Sequence, residues 1–165
     1  VTYLETKEKA MLQVLKEMNV VDYNLYTTDL KKDYGIGRIG YLPEAMTLET
    51  FAKKVKETFH VKMLRVITKD LDKPVKKIAI CGGSGEKFYP AALSKGCDVY
   101  ITGDVYYHTA HDMLETDLSV IDPGHYIEYY CKEKMLHLFE NWKKENQWDV
   151  DFSLSKVSTD PFTII

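Results

Sequence analysis

Two side chains that commonly bind divalent metal ions, His125 and Glu128, lie three residues apart in the segment DPGHYIE, residues 122–128. Pro123 and Gly124 predict the start of a helix here, and residues three apart share one face of a helix. An imidazole and a carboxylate in this arrangement suit zinc, manganese or iron. Two ligands form only part of a site, because catalytic zinc usually has three protein ligands. In the alternative interpretation, Glu128 stabilises the helix start and His125 is a surface residue.

A second polar group follows Gly103 and consists of Asp104, His108, His111 and Asp112. If a helix begins at Asp104, separations of three and four residues place these side chains on one face. In the alternative interpretation, Asp104 is only the N-cap of the helix and the histidines lie on the surface.

A third candidate is the glycine-rich sequence formed by Gly82, Gly83, Ser84 and Gly85. Glycines at the start of a helix let backbone N–H groups approach an anion, and the helix dipole favours negative charge there. The sequence matches neither the P-loop nor the dinucleotide-binding fingerprint. A tight turn between a strand and a helix explains the same glycines equally well.

Each of these groups follows a short apolar run, at 78–81, 99–102 and 118–121. Runs that are apolar throughout predict strands buried on both faces of a sheet. Ligands of α/β sheets bind at the carboxyl ends of the strands, so the residues after each run are the functional candidates. The helical patterns between the runs predict an α/β fold, with a mostly parallel sheet flanked by helices. The remaining predictions are helices at 5–19, 47–58, 86–95, 105–115 and 124–145, a turn into an irregular strand at 31–40, and strands at 20–26 and 148–154.

The periodic apolar residues of the helix at 124–145 predict a buried stripe. Its members are Ile127, Cys131, Met135, Leu138 and Trp142. The three cysteines are expected to be small core hydrophobes. They are Cys81, Cys97 and Cys131.

The composition, with 165 residues of which 45% are hydrophobic and 28% charged, is typical of one globular domain. A net charge of −3 gives no basic field, which argues against direct DNA binding. We expect no membrane span, because no apolar run approaches roughly 20 residues, and no signal peptide. Three cysteines without a CxxC spacing favour a cytoplasmic location. A first residue of Val1 rather than Met suggests a fragment of a longer protein.

Five short sequences combine these candidates into one pattern. They are GIGRIG at 35–40, ICGGSG at 80–85, YITGD at 100–104 with His108, DPGH at 122–125 with Glu128, and TDPF at 159–162. In this order and spacing they resemble the carboxyl-terminal half of the Nif-three-like family, commonly described as GTP cyclohydrolase type 2 homologues. The resemblance predicts that residues 32–165 are the carboxyl-terminal α/β lobe of a two-lobed protein. It is loose over residues 1–31, which are then the end of an insertion domain or a connecting segment.

The resemblance implies a dinuclear centre of divalent metal ions (Zn, Mn or Fe) between two lobes, within a toroidal homohexamer. In the family, two adjacent histidines and an aspartate from the amino-terminal half bind the metals, together with residues that match His125 and Glu128. This chain has no adjacent pair of histidines, so the two ions of a complete subunit need the other half. Asp104 and His108 match family positions near the metals, and Gly82–Gly85 then line the same cleft.

Metal-assisted hydrolysis of a small, nucleotide-like substrate is the activity that the resemblance implies, with the ions supplying hydroxide at neutral pH. Asp104 or His108 would carry a proton or orient the attacking water. Family naming indicates GTP ring opening, although no residue here identifies a guanine. The alternatives are a non-enzymatic, metal-binding regulatory or protein-interaction module, and a folded lobe that is inactive alone.

Overall fold

The chain divides into two compact units, residues 1–34 and 35–165. A computed structural model describes residues 8–19 and 35–164. The first unit contains helix α1, Glu8–Glu17, within the segment where the apolar periodicity predicted a helix. The strand predicted at 20–26 lies outside the described residues.

A five-stranded sheet forms the centre of the second unit. Its strands are β1 (Arg38–Thr47), β2 (Arg65–Ile67), β3 (Pro74–Ile80), β4 (Val99–Ile101) and β5 (Ser119–Asp122), in the order β1-β3-β4-β5-β2. Strands β3, β4 and β5 are parallel, and β1 and β2 pair antiparallel at the two edges. The α-helices are α2 (Leu48–Thr58), α3 (Tyr89–Ser94), α4 (Tyr107–Leu114) and α5 (Cys131–Asn146), and 3₁₀ helices span Glu86–Phe88 and His125–Tyr130.

Strands β4 and β5 are buried throughout and β3 is partly buried, which agrees with the predicted α/β class of a sheet with flanking helices. Successive side chains of a strand point to opposite faces of the sheet. Tyr100 and Val120 therefore pack in one apolar cluster with Met113 of α4, whereas Val99 and Ile121 pack in another with α2. Two covered faces explain why the runs at 78–81, 99–102 and 118–121 are largely apolar instead of alternating.

Helix α2 confirms the helix predicted at 47–58. The hydroxyl of Thr47 accepts the backbone N–H of Thr50 and caps the first turn. Leu48, Phe51 and Val55 are buried against the sheet, as their spacing indicated. None of the described helices has the length and apolar character needed to cross a bilayer.

The edges of the sheet differ most from the sequence prediction. Strand β1 extends well beyond the irregular strand predicted at 31–40, and its register shifts between Tyr41 and Met46. Strand β2 was not predicted, since three residues carry too little periodicity. The strand predicted at 148–154 is wrong, because this segment pairs with no strand of the described residues and is mostly exposed.

The buried stripe predicted for 124–145 is also wrong beyond Ile127. Residues His125–Tyr130 form a 3₁₀ helix, in which Ile127 is buried. Met135, Leu138 and Trp142 on α5 are 37–40% exposed, and Cys131 is exposed as well, whereas Cys81 and Cys97 are buried as expected. A periodic apolar face identifies a helix, but its burial depends on whether another element covers it.

A buried carboxylate, that of Asp122, joins the loops at the carboxyl ends of β4 and β5. Its side chain is 1% exposed and forms an ion pair with Arg65 of β2. Its Oδ2 accepts the backbone N–H of Val105 at 3.1 Å, and its Oδ1 accepts that of Gly124 at 2.8 Å. Since buried polar groups must find partners, one side chain determines the path of both loops.

We predict that Asp122→Asn lowers the free energy of unfolding by about 3 kcal/mol, because one amide cannot replace both acceptor oxygens beside a cation. Urea unfolding measures the change. The control is Asp112→Asn on α4, where the side chain is exposed. Equal unfolding midpoints for the two variants would contradict the role of Asp122.

Candidate metal site

The loops that follow β3, β4 and β5 meet at the carboxyl ends of these strands, so the three candidate groups lie close together. The backbone N–H of Gly103 donates to the carbonyl oxygen of Gly83 at 2.8 Å. A Cβ atom on Gly103 would lie 2.7 Å from the carbonyl carbon of Gly124. Glycine at 103 therefore lets the backbones of the second and third loops approach each other.

His125 and Glu128 lie side by side, as their spacing indicated. His125 Nε2 is 3.1 Å from Glu128 Oε2, and the two side chains are 48% and 55% exposed. Both belong to the 3₁₀ helix His125–Tyr130, where residues three apart are eclipsed. The 3₁₀ winding aligns this pair more closely than the predicted α-helix would.

Asp104 joins the pair from the loop after β4. Its Oδ2 lies 2.7 Å from His125 Nδ1. The alternative interpretation, in which Asp104 is only the N-cap of a helix, is wrong, because α4 begins at Tyr107 and Asp104 has a left-handed φ of 55°. Aspartate tolerates this conformation better than most residues.

His108 is not brought into the Asp104–His125–Glu128 group by any hydrogen bond within the described residues. It lies exposed on α4, with its ring 5.5 Å from that of Tyr107. The common helical face proposed for residues 104, 108, 111 and 112 does not form, because Asp104 precedes the helix. A role of His108 in proton transfer stays a prediction.

The charges around His125 favour a cation at its ring. The hydrogen bond that Asp104 accepts from the ring raises the pKa of His125 above its ordinary value of 6.5, and the negative charge of Glu128 adds to the increase. Desolvation opposes this rise. With an acceptor oxygen at each ring nitrogen, both nitrogens carry protons, or a metal ion takes the place of the proton on Nε2.

The glycine-rich loop gives Glu128 its space. Gly83 has a φ of 62°, and a Cβ atom there would lie 2.2 Å from Glu128 Oε1. The N–H of Gly85 donates to the hydroxyl of buried Thr102 at 3.0 Å, and the Tyr100 hydroxyl donates to the Gly85 carbonyl at 2.7 Å. Burial raises the pKa of Tyr100, which keeps this donor protonated. These contacts explain the glycines by packing, and anion binding by Gly82–Gly85 stays a prediction.

A pocket of about 510 Å³ lies beside His125 and Glu128. Its lining comprises Asp104, His125, Tyr126, Glu128, Tyr129, Cys131, Lys132, Thr159, Asp160, Pro161 and Phe162. The last four form the TDPF motif, so the carboxyl-terminal segment helps to build the site. Our site prediction omitted Tyr126, Lys132 and Asp160, although the TDPF motif and the tyrosine next to His125 were signals for this pocket.

In this group, His125 and Glu128 are the two side chains whose ligand atoms lie close enough together to bind one metal ion. Within residues 8–19 and 35–164, no three His, Cys, Asp or Glu side chains are arranged to hold a metal ion. Asp104 contacts the far nitrogen of His125 and thus orients a ligand. The described residues supply part of a site, with one imidazole and one carboxylate.

The chain is a mixed α/β protein whose candidate residues lie at the carboxyl ends of its parallel strands, where α/β sheets usually bind ligands. Residues 3–161 match the family model described as Duf34/NIF3 (NGG1p interacting factor 3), and the chain belongs to this family. The predicted family resemblance is therefore confirmed.

Curated relatives share the family's usual name. The chain is 42% identical over 164 residues to the "GTP cyclohydrolase 1 type 2 homolog" of Streptococcus pneumoniae, covering 98% of this chain and 62% of the relative. It is 45% identical over 144 residues to that of Halalkalibacterium halodurans, covering 87% and 38%. The chain thus spans less than two thirds of the length of either relative.

Solved structures agree in fold. A hypothetical protein of Staphylococcus aureus matches with a TM-score of 0.80 and 32% identity, covering 99% of this chain and 53% of the other. A Bacillus cereus protein related to NIF3 matches with a TM-score of 0.75 and 42% identity, covering 79% and 36%. The sheet and its helices are therefore those of NIF3 proteins.

We predict that Asp104→Asn lowers the pKa of His125, because the hydrogen bond that His125 donates to the Asp104 carboxylate is the largest cause of its rise. An NMR titration of the imidazole measures this pKa. Since folding raises the pKa, protonation of His125 stabilises the fold at low pH, and this stabilisation is lost as pH rises through the folded-state value. Asp112→Asn serves as the control, and an unchanged His125 titration in Asp104→Asn would contradict the assignment.

Proposed function

We propose that this chain binds a divalent metal ion through His125 Nε2 and the carboxylate of Glu128. We further propose that, in the complete protein, this pair forms part of a dinuclear centre of a metal-dependent hydrolase. The observation that carries the proposal is the 3.1 Å separation of the two ligand atoms, with the other ring nitrogen bound to Asp104. Zn, Mn and Fe are the candidate ions, because they accept mixed nitrogen and oxygen ligands.

The geometry of the pair fits a shared ion. Ligand atoms about 2.0–2.2 Å from one ion are roughly 3 Å apart when they occupy neighbouring coordination positions. Without an ion, His125 Nε2 needs a proton to face the carboxylate of Glu128 at this distance. Metal binding would replace that proton, so the same arrangement accommodates either cation.

Asp104 is a positioning residue in this proposal. Its hydrogen bond keeps the proton on His125 Nδ1 and directs the Nε2 lone pair toward Glu128. A carboxylate behind a metal-binding histidine raises the basicity of the ring and restricts its orientation. Gly83, which has no side chain, leaves the Glu128 carboxylate room beside the ring.

A bound divalent ion would lower the pKa of a coordinated water and supply hydroxide at neutral pH. Asp104 and His108 are our candidates for orienting that water or moving its proton. The names of the curated relatives, "GTP cyclohydrolase 1 type 2 homolog", support a nucleotide-like substrate. Because the chain spans 62% or less of these relatives, we propose that the other part of the protein completes the ligand set.

Assembly and location complete the proposal. Exposed apolar side chains on α5, among them Met135 and Trp142, support association into a homo-oligomer, which we propose is the family's hexamer. Three cysteines without a disulfide support a cytoplasmic location.

The second candidate function is a non-enzymatic, metal-binding regulatory module. The family description as an NGG1p interacting factor favours this function, and so do the exposed apolar side chains on α5.

We predict weak zinc binding by this chain, with a dissociation constant in the micromolar range or above, because it supplies only two ligands. In isothermal titration with zinc chloride, His125→Ala and Glu128→Ala should abolish binding, and Asp104→Asn should weaken it about ten-fold. The control is His137→Ala at an exposed position of α5. Sub-micromolar binding that depends on His125 and Glu128 would show that the ligand count is wrong.

The two candidate functions, a hydrolase and a regulatory module, differ in whether the complete protein consumes GTP. In the complete protein loaded with zinc or manganese, we expect GTP consumption that His125→Ala and Glu128→Ala abolish, while circular dichroism shows an intact fold. Liquid chromatography of the nucleotide pool measures the reaction. Turnover that is unchanged in both variants would refute the hydrolase, and absent turnover with intact metal binding would favour the regulatory module.

A further inference from the structure

A series of aromatic rings leads from the core to the pocket beside His125. The centroids of Phe59 and Tyr130 are 5.5 Å apart, those of Tyr130 and Tyr129 are 4.2 Å apart, and those of Tyr129 and Tyr126 are 5.1 Å apart. Phe59 packs against the apolar cluster beneath α2. Tyr126 is the last ring of the series and lines the pocket, so it is held in place by stacking from behind.

Lys132 supplies a positive charge at the same pocket. It follows Glu128 by four residues and is half-buried. It is the only lysine or arginine that lines the pocket within the described residues, and it forms no hydrogen bond or ion pair with any of them. A lysine that pairs with no described residue is available for an anionic ligand at this pocket.

The size of the pocket limits what these two residues can bind. Its volume of about 510 Å³ lies within the range of small-molecule sites. The other charged groups in the lining are His125 and the carboxylates of Asp104, Glu128 and Asp160. These carboxylates repel an anion from most of the pocket, which leaves the position beside Lys132 as the favourable one for a phosphate.

We propose that Tyr126 and Lys132 are specificity-determining residues, which bind the planar ring and the phosphate of a small nucleotide-like molecule. The Tyr126 ring stacks on the conjugated ring of the ligand, and the Lys132 ammonium group pairs with its phosphate. This assignment rests on the proposed function, because it places the ligand beside the metal-binding pair. It adds the two contacts by which this pocket would distinguish a nucleotide from a sugar phosphate or a nucleoside.

Three probes separate the two contacts. They are guanosine monophosphate, which has the ring and the phosphate, guanosine, which lacks the phosphate, and ribose 5-phosphate, which lacks the ring. Binding is measured by NMR titration of the ¹⁵N-labelled chain in a metal-free buffer with chelator. Under these conditions the result does not depend on metal binding. We expect guanosine monophosphate to bind more tightly than either other probe.

Each substitution should affect only the probes that share its contact. Tyr126→Leu should weaken the binding of guanosine monophosphate and of guanosine about ten-fold, since base stacking on an aromatic ring contributes affinity of that order. Lys132→Met should weaken the binding of guanosine monophosphate and of ribose 5-phosphate about ten-fold, because a charge-assisted hydrogen bond is lost. Tyr107→Leu and Lys134→Met, at exposed positions outside the pocket, are the matched controls.

Several outcomes would overturn this assignment. They are no binding of guanosine monophosphate, binding no tighter than that of ribose 5-phosphate, or an equal loss for all three probes in either variant. An equal loss would indicate a structural role. A zinc titration of the same samples tests the proposed function separately, so that loss of one kind of binding with retention of the other identifies which proposal fails.

Discussion

The buried carboxylate of Asp122 determines where the parts of the candidate metal site stand. It accepts the backbone N–H groups of Val105 and Gly124. These residues directly follow Asp104 and directly precede His125, so a single side chain holds the backbone next to both. The 2.7 Å contact between Asp104 and His125 is a consequence of this arrangement. Asp122, at the end of β5, thus links the core directly to the backbone of the site.

A second constraint is the charge balance at His125. The ring lies between the carboxylates of Asp104 and Glu128, and it satisfies both only when it carries a positive charge or binds a cation. In the proposed metal site, a proton and the metal ion would compete for Nε2, which would link metal affinity to pH. The pocket extends from this pair toward Tyr126 and Lys132. The two proposals thus assign metal binding to Glu128 and phosphate binding to Lys132, which have opposite charges and lie four residues apart.

Local sequence patterns predicted the parts of this structure that depend on local physics. The apolar runs identified β3, β4 and β5 because both faces of these strands are covered, and the three-residue spacing identified His125 and Glu128. The left-handed backbone of Asp104 was not predictable, since it accompanies a contact of the next residue with Asp122, far along the chain. The apolar periodicity of α5 suggested burial, but no local pattern reports whether another element covers a helix face.

Anomalous diffraction at the zinc edge, from crystals grown with zinc chloride, is the decisive experiment for the proposed metal site. We expect an anomalous peak about 2.0–2.2 Å from both His125 Nε2 and a carboxylate oxygen of Glu128, with Asp104 still bound to Nδ1. A strong peak at other residues, with His125 and Glu128 still in direct contact with each other, would contradict it.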